Sequence, residues 1–130
     1  MATVLIVDDS SSVRKIVRTI FEAEPEFTVA GEGVNGLDAI AKVEELMPDL
    51  VVLDLSMPIM NGLEAGEILK SRWPHIPIYV LTAHGGPEVD RAARTAGIDA
   101  VFSKDTDMPR LIESARAAFP AKRQKKRRTK

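Results

Sequence analysis

Five short apolar runs recur along this chain, and each is followed by a segment with helical periodicity. The runs occupy residues 4–7, 27–30, 50–53, 78–81 and 100–102. After the first, Ser10, Ser11 and Ser12 offer helix N-caps, and Val13, Ile16, Val17, Ile20 and Phe21 follow at the spacing of one buried face. Leu37, Ile40 and Ala41 mark a second helix ending before Pro48, and Ala65, Ile68 and Leu69 a third. Val89, Ala92, Ala93 and Ala96 give a fourth with Gly97 as its C-cap, and Leu111, Ile112, Ala115, Ala118 and Phe119 a fifth. Strict alternation of strand and helix demands a parallel sheet covered on both faces, a doubly wound (βα)5 α/β fold. Runs one, three and four are continuously apolar, as central strands require, whereas two and five are shorter or broken by polar residues and suit edges. Edges at two and five fit the strand order 2-1-3-4-5, which is the expected one.

At 130 residues the chain fits one domain, expected over residues 1–120, with a core large enough to need no covalent staples. Cysteine is absent, which excludes disulfides and thiolate metal sites. No apolar run approaches the ~20 residues of a membrane span, so no membrane partner is expected and a cytoplasmic location is the default. The net charge of −1 conceals an asymmetry. Residues 122–130 hold seven of the 18 Lys and Arg and no acid, leaving 11 basic against 19 acidic side chains in the remainder. Residues 121–130 read as a basic, disordered tail, the one segment with the charge to contact nucleic acid.

Ligands of open α/β sheets bind beyond the carboxyl ends of the strands. Here strand one ends in Asp8 and Asp9, strand three in Asp54, strand four in Thr82, and strand five near Lys104. Three carboxylates, a hydroxyl and an amine therefore share one rim. Carboxylates gathered this closely repel unless a cation intervenes, and an all-oxygen donor set selects Mg²⁺ or Mn²⁺ over zinc. A carboxylate is also a nucleophile toward phosphorus, and phosphoryl transfer asks mainly for positioning and charge neutralisation.

The residues around these positions resemble the signatures of bacterial response-regulator receiver domains, which have a flavodoxin-like fold. The matching stretches are residues 4–9 with the serines after them, Leu53-Asp54-Leu55-Ser56-Met57-Pro58-Ile59-Met60-Asn61-Gly62, Leu81-Thr82-Ala83 and Ser103-Lys104. The Lys104-Asp105 pair is most similar to receivers joined to helix-turn-helix DNA-binding domains. The resemblance implies that Asp54 is the phosphoacceptor of a two-component phosphorelay. It implies that Asp9, Asp54 and the Ser56 backbone carbonyl ligate Mg²⁺, with Asp8 acting through water. Thr82 and Lys104 would bind the phosphoryl group, and Ser56 and His84 would tune its loss. The implied donor is a sensor histidine kinase or phosphotransfer protein. The implied output is a partner protein, or a second copy, at helix 4, strand 5 and helix 5. Covalent chemistry would be limited to self-phosphorylation and self-dephosphorylation.

Two positions depart from that pattern. The aromatic residue usual three positions before the lysine is replaced by Val101, and Phe102 has the wrong parity to substitute for it. Asp105 stands where a proline commonly follows the lysine, so a trans bond is expected there. Two other classes compete. A haloacid-dehalogenase-like phosphotransferase would need a second acid two residues after the first-strand aspartate, where Ser10 stands. A phosphorylation-independent scaffold or nucleic-acid binder would act through the basic tail.

Overall fold

A computed structural model describes residues 1–119; the tail lies outside the described residues. The elements alternate without exception: β1 (Ala2–Val7), α1 (Ser11–Glu22), β2 (Phe27–Gly33), α2 (Gly36–Leu46), β3 (Leu50–Asp54), α3 (Gly62–Arg72), β4 (Ile78–Thr82), α4 (Pro87–Ala96), β5 (Ala100–Ser103) and α5 (Met108–Ala118). All neighbouring strands pair in parallel, in the order β2-β1-β3-β4-β5. Every residue of β3 and β4 is buried, as their unbroken apolar composition requires of central strands.

The pleat separates two cores. Val4 and Ile6 of β1 face one way and pack with Val17 and Phe21 of α1 and Leu111, Ile112 and Ala115 of α5. Leu5 and Val7 face the other way and pack with Ala39 and Val43 of α2, Ala65 and Leu69 of α3, and Ala93 of α4. Phe21 is fully buried and meets the Phe27 ring edge-on, with centroids 5.2 Å apart. Full burial of a side chain this size contributes about 1.5–3 kcal/mol, so Phe21 is a principal anchor of α1.

Helix starts follow local chemistry. The Ser10 hydroxyl accepts the Val13 N–H at α1, and Asn35 accepts the Asp38 N–H at α2. Asn61 and Glu64 form a reciprocal capping box at α3. Helix α4 has no side-chain cap; it begins at Gly86, with φ of 146°, and ends at Gly97 in the left-handed region.

The structure corrects three expectations. First, β2 does not stop at residue 30 but runs to Gly33, making it the longest strand rather than a short one. The register with β1 slips by one between Val4 and Leu5, leaving Ala30 without a partner, a β-bulge on an edge strand. Second, the buried stripes of the helices are narrower than their apolar composition. On α1 only Val17 and Phe21 are fully buried and Ile16 is 52 % exposed, because it lies a rotation of about 100° away from Val17. Leu37 and Ala41 on α2 and Ala92 on α4 are likewise exposed. Third, β5 extends to Ser103. The parity argument at β5 holds: Phe102 is buried with Tyr79 and Leu111, whereas Val101 is half-buried on the α4 side.

Candidate functional site at the carboxyl edge of the sheet

The order β1-β3-β4-β5 places the ends of four strands side by side, and each delivers its polar residue to the same rim. Asp8 follows β1 and is buried, while Asp9, one residue on, is exposed. Asp54 closes β3 and Thr82 closes β4, both buried. Lys104 follows β5, where its N–H donates to the Thr82 carbonyl at 2.8 Å. Oxygens of Asp8, Asp9 and Asp54 all lie within 4.8 Å of one another.

The Lys104 ammonium bridges two of these acids, 2.9 Å from Asp54 Oδ1 and 3.0 Å from Asp8 Oδ2. Burial raises the Asp54 pKa above its ordinary value, and Lys104 opposes that rise only in part. For Lys104 burial works against the charged form, but the two carboxylates outweigh it and the ammonium is held above its usual range. Asp8 Oδ1 accepts the Ser10 N–H at 2.9 Å, and Asp8 Oδ2 has the Lys104 ammonium as its partner at 3.0 Å. Three carboxylates this close carry more negative charge than the one ammonium offsets. That excess of charge and the hard oxygen donors fit a site for Mg²⁺ or a similar divalent ion.

Asp54, Leu55, Ser56, Thr82, Ala83, His84 and Lys104 line an open depression of about 380 Å³ beside the acids. The Thr82 hydroxyl accepts the His84 N–H at 3.1 Å, and the side chains of Ser56 and His84 stand exposed at the rim. All seven residues singled out from the sequence, Asp8, Asp9, Asp54, Ser56, Thr82, His84 and Lys104, thus belong to one neighbourhood. No cis peptide bond occurs among the described residues, so Lys104–Asp105 is trans as expected.

Two contributors were not foreseen. Gly62, the last residue of the receiver-like stretch that begins at Leu53, starts α3 directly against Asp54: a Cβ there would overlap the Asp54 carbonyl oxygen. Its place in that stretch marked the residue but not its contact with Asp54. Arg14, in the second turn of α1, donates through Nη1 to the Asp8 carbonyl at 2.7 Å. Nothing local in the sequence marks it, because its partners come from strand ends brought together by the fold.

The comparisons agree with this geometry. The model of the response regulator receiver domain matches residues 4–116. A protein-glutamate methylesterase/protein-glutamine glutaminase of Pyrococcus horikoshii is 41 % identical over 98 residues, covering 74 % of this chain and 27 % of that protein. The transcriptional regulatory protein YhcZ of Bacillus subtilis is 38 % identical over 111 residues, covering 85 % of this chain and 52 % of that protein. The chain thus spans about half the length of one relative and about a quarter of the other. Among solved structures, a LuxR-family two-component response regulator from Aurantimonas superposes with a TM-score of 0.87 at 28 % identity, covering 93 % of this chain and 86 % of that one. The response regulator domain of Thermotoga maritima CheB superposes with a TM-score of 0.84 at 27 % identity, covering 91 % and 96 %. No helix among the described residues is long and apolar enough to cross a membrane. With the fold, the acidic rim and the family match in agreement, this chain belongs to the response regulator receiver domain family of two-component systems.

Proposed function

We propose that the domain, residues 1–120, is a phosphorylation-controlled switch that accepts a phosphoryl group on Asp54 in a reaction dependent on Mg²⁺. The observation that carries this reading is the rim itself: three carboxylates within 4.8 Å, an ammonium on two of them, and a buried hydroxyl beside an open depression. Asp9, Asp54 and the Ser56 carbonyl would hold the ion, with Asp8 acting through water. The ion supplies charge neutralisation at the incoming phosphoryl oxygens.

The carboxylate of Asp54 attacks phosphorus and forms an O–P bond as the P–N bond of a donor phosphohistidine breaks. The electron pair of that bond leaves with the imidazole. Lys104, already 2.9 Å from Asp54, is placed to pair with a phosphoryl oxygen, and the Thr82 hydroxyl is placed to donate to another. His84 and Ser56 stand at the mouth and would govern how readily water reaches the acyl phosphate. The donor would be a sensor histidine kinase or phosphotransfer protein. The altered surface at α4, β5 and α5 would be read by an output protein or a second copy.

Incubation with acetyl phosphate, and separately with phosphoramidate, followed by intact mass measurement tests the assignment. One phosphoryl adduct should appear with Mg²⁺ and be absent with EDTA or in Asp54→Asn. Equal labelling of Asp54→Asn and wild type overturns it.

A further inference from the structure

The Asp8–Asp9 turn is held from outside the acidic cluster. The Asp8 N–H donates to the Gly33 carbonyl at 3.0 Å, and the Asp8 carbonyl accepts Arg14 Nη1 at 2.7 Å. The backbone of Asp8, which leads into Asp9, is therefore held on both sides of its α-carbon, by β2 through the N–H and by α1 through the carbonyl. Arg14 is itself oriented, because its Nε donates to Glu32 Oε1 at 2.8 Å. The second oxygen of Glu32 accepts Arg18 Nε at 2.6 Å, so the carboxylate has little freedom to turn.

Glu32 reaches α1 only because of the bulge at Ala30. Before the bulge Val29 pairs with Val4, and both pack on the α1–α5 side. After it Gly31 pairs with Leu5, which packs on the α2 side, and Glu32 pairs with Ile6, which packs toward α1. In an unbroken register Glu32 would instead pair with Val7 and point toward α2.

We propose that Arg14 is a positioning residue of the metal site, and that Glu32, turned toward α1 by the Ala30 bulge, holds it in place. Outer partners that orient metal ligands typically contribute about 10- to 100-fold in affinity. The inference rests on the metal reading of Asp8, Asp9 and Asp54 given above.

The sign of one measurement separates positioning from simple charge. Arg14 is a cation close to an acidic cluster, so by Coulomb's law alone its removal strengthens binding of a divalent cation. Loss of positioning weakens it. Binding of Mn²⁺ to the unphosphorylated full chain can be followed by loss of the free-ion EPR signal. Arg14→Met should weaken Mn²⁺ binding about tenfold or more. Arg14→Lys, which keeps one donor for the Asp8 carbonyl, should recover most of that loss. Arg18→Met, which removes the same charge without a bond to Asp8 and leaves Arg14 on Glu32, should weaken binding far less than Arg14→Met. Unchanged or tighter binding by Arg14→Met overturns the inference, as does equal weakening by Arg18→Met. If Arg14→Met does not fold, Arg14→Gln carries the same test of sign. Failure of the wild type itself to bind Mn²⁺ would instead defeat the metal reading, so the two failures are distinguishable.

Discussion

Lys104 Nζ lies 2.9 Å from Asp54 Oδ1, at the bottom of the depression where strands β3 and β5 end one strand apart. The pair is the centre of the site's electrostatics, because the same ammonium also serves Asp8. Replacing Lys104 by Met leaves two buried carboxylates without their cation. Removing one partner of a fully buried pair costs about 3–5 kcal/mol, and the loss here should be smaller, about 2 kcal/mol, because the Lys104 side chain is 19 % exposed. Urea denaturation in EDTA should show the loss, and added Mg²⁺ should recover much of it. A variant as stable as wild type in EDTA would show that the ammonium contributes nothing to the folded state.

Gly62 packs its α-carbon against the Asp54 carbonyl, so Gly62→Ala should displace either α3 or the end of β3. Overpacking of this kind typically costs about 1–3 kcal/mol. The expected outcome is a lower urea midpoint together with slower adduct formation from acetyl phosphate. The coupled loss would distinguish a strained Asp54 from a merely weakened helix.

Glu32 makes stability depend on acid. Arg18 first and Arg14 second hold its carboxyl below the ordinary value of 4.5, against the opposing effect of burial. A carboxyl with a depressed folded pKa contributes stability above its unfolded pKa, and that contribution disappears as pH falls through the folded value. Glu32→Gln should therefore melt below wild type near neutrality, with the gap closing as the pH drops below 4.5. Calorimetry across that range checks the sign: a gap that widens in acid contradicts it.

Val101 leaves a groove of about 220 Å³ between α4 and β5, lined by Ala93, Arg94, Ile98 and Ala100 among others. An aromatic ring at position 101 has room there. Val101→Phe should stabilise the domain by about 1 kcal/mol through added apolar burial. Urea midpoints measure the gain, and hydrogen exchange along α4 should slow in the same variant. A destabilised variant with faster exchange would show that the groove does not accept the ring.

Helix α3 depends on its reciprocal cap. The Asn61 side chain accepts the Glu64 N–H at 2.9 Å while Glu64 Oε1 accepts the Asn61 N–H at 3.1 Å. Asn61→Ala should cost about 1 kcal/mol, measured in the same denaturation experiment.

Much of this protein was legible before folding was considered. The short apolar runs and the helical spacing between them determined the alternation of elements. Unbroken apolarity in residues 50–53 and 78–81 determined which strands lie at the centre. Once the strand order followed, chain direction alone brought Asp8, Asp9, Asp54, Thr82 and Lys104 to one edge, because parallel strands all end there. Helix composition was a poorer guide to burial, since Ile16 and Leu37 fit an apolar pattern yet stay half exposed beside narrow contact stripes.

What the sequence by itself determined is therefore the inventory and the edge on which it gathers. Only the tertiary structure decided the pairings. Lys104 reads from the sequence as a ligand of the phosphoryl group, and the fold sets it across Asp54 and Asp8 together. The Ala30 bulge is invisible to periodicity, yet one extra residue reverses the facing of β2 and delivers Glu32 to Arg14. The physical reason is the same in both cases. Periodicity reports which face a residue takes within its own element, whereas a contact between elements depends on register, and register is set by how strands and helices pack.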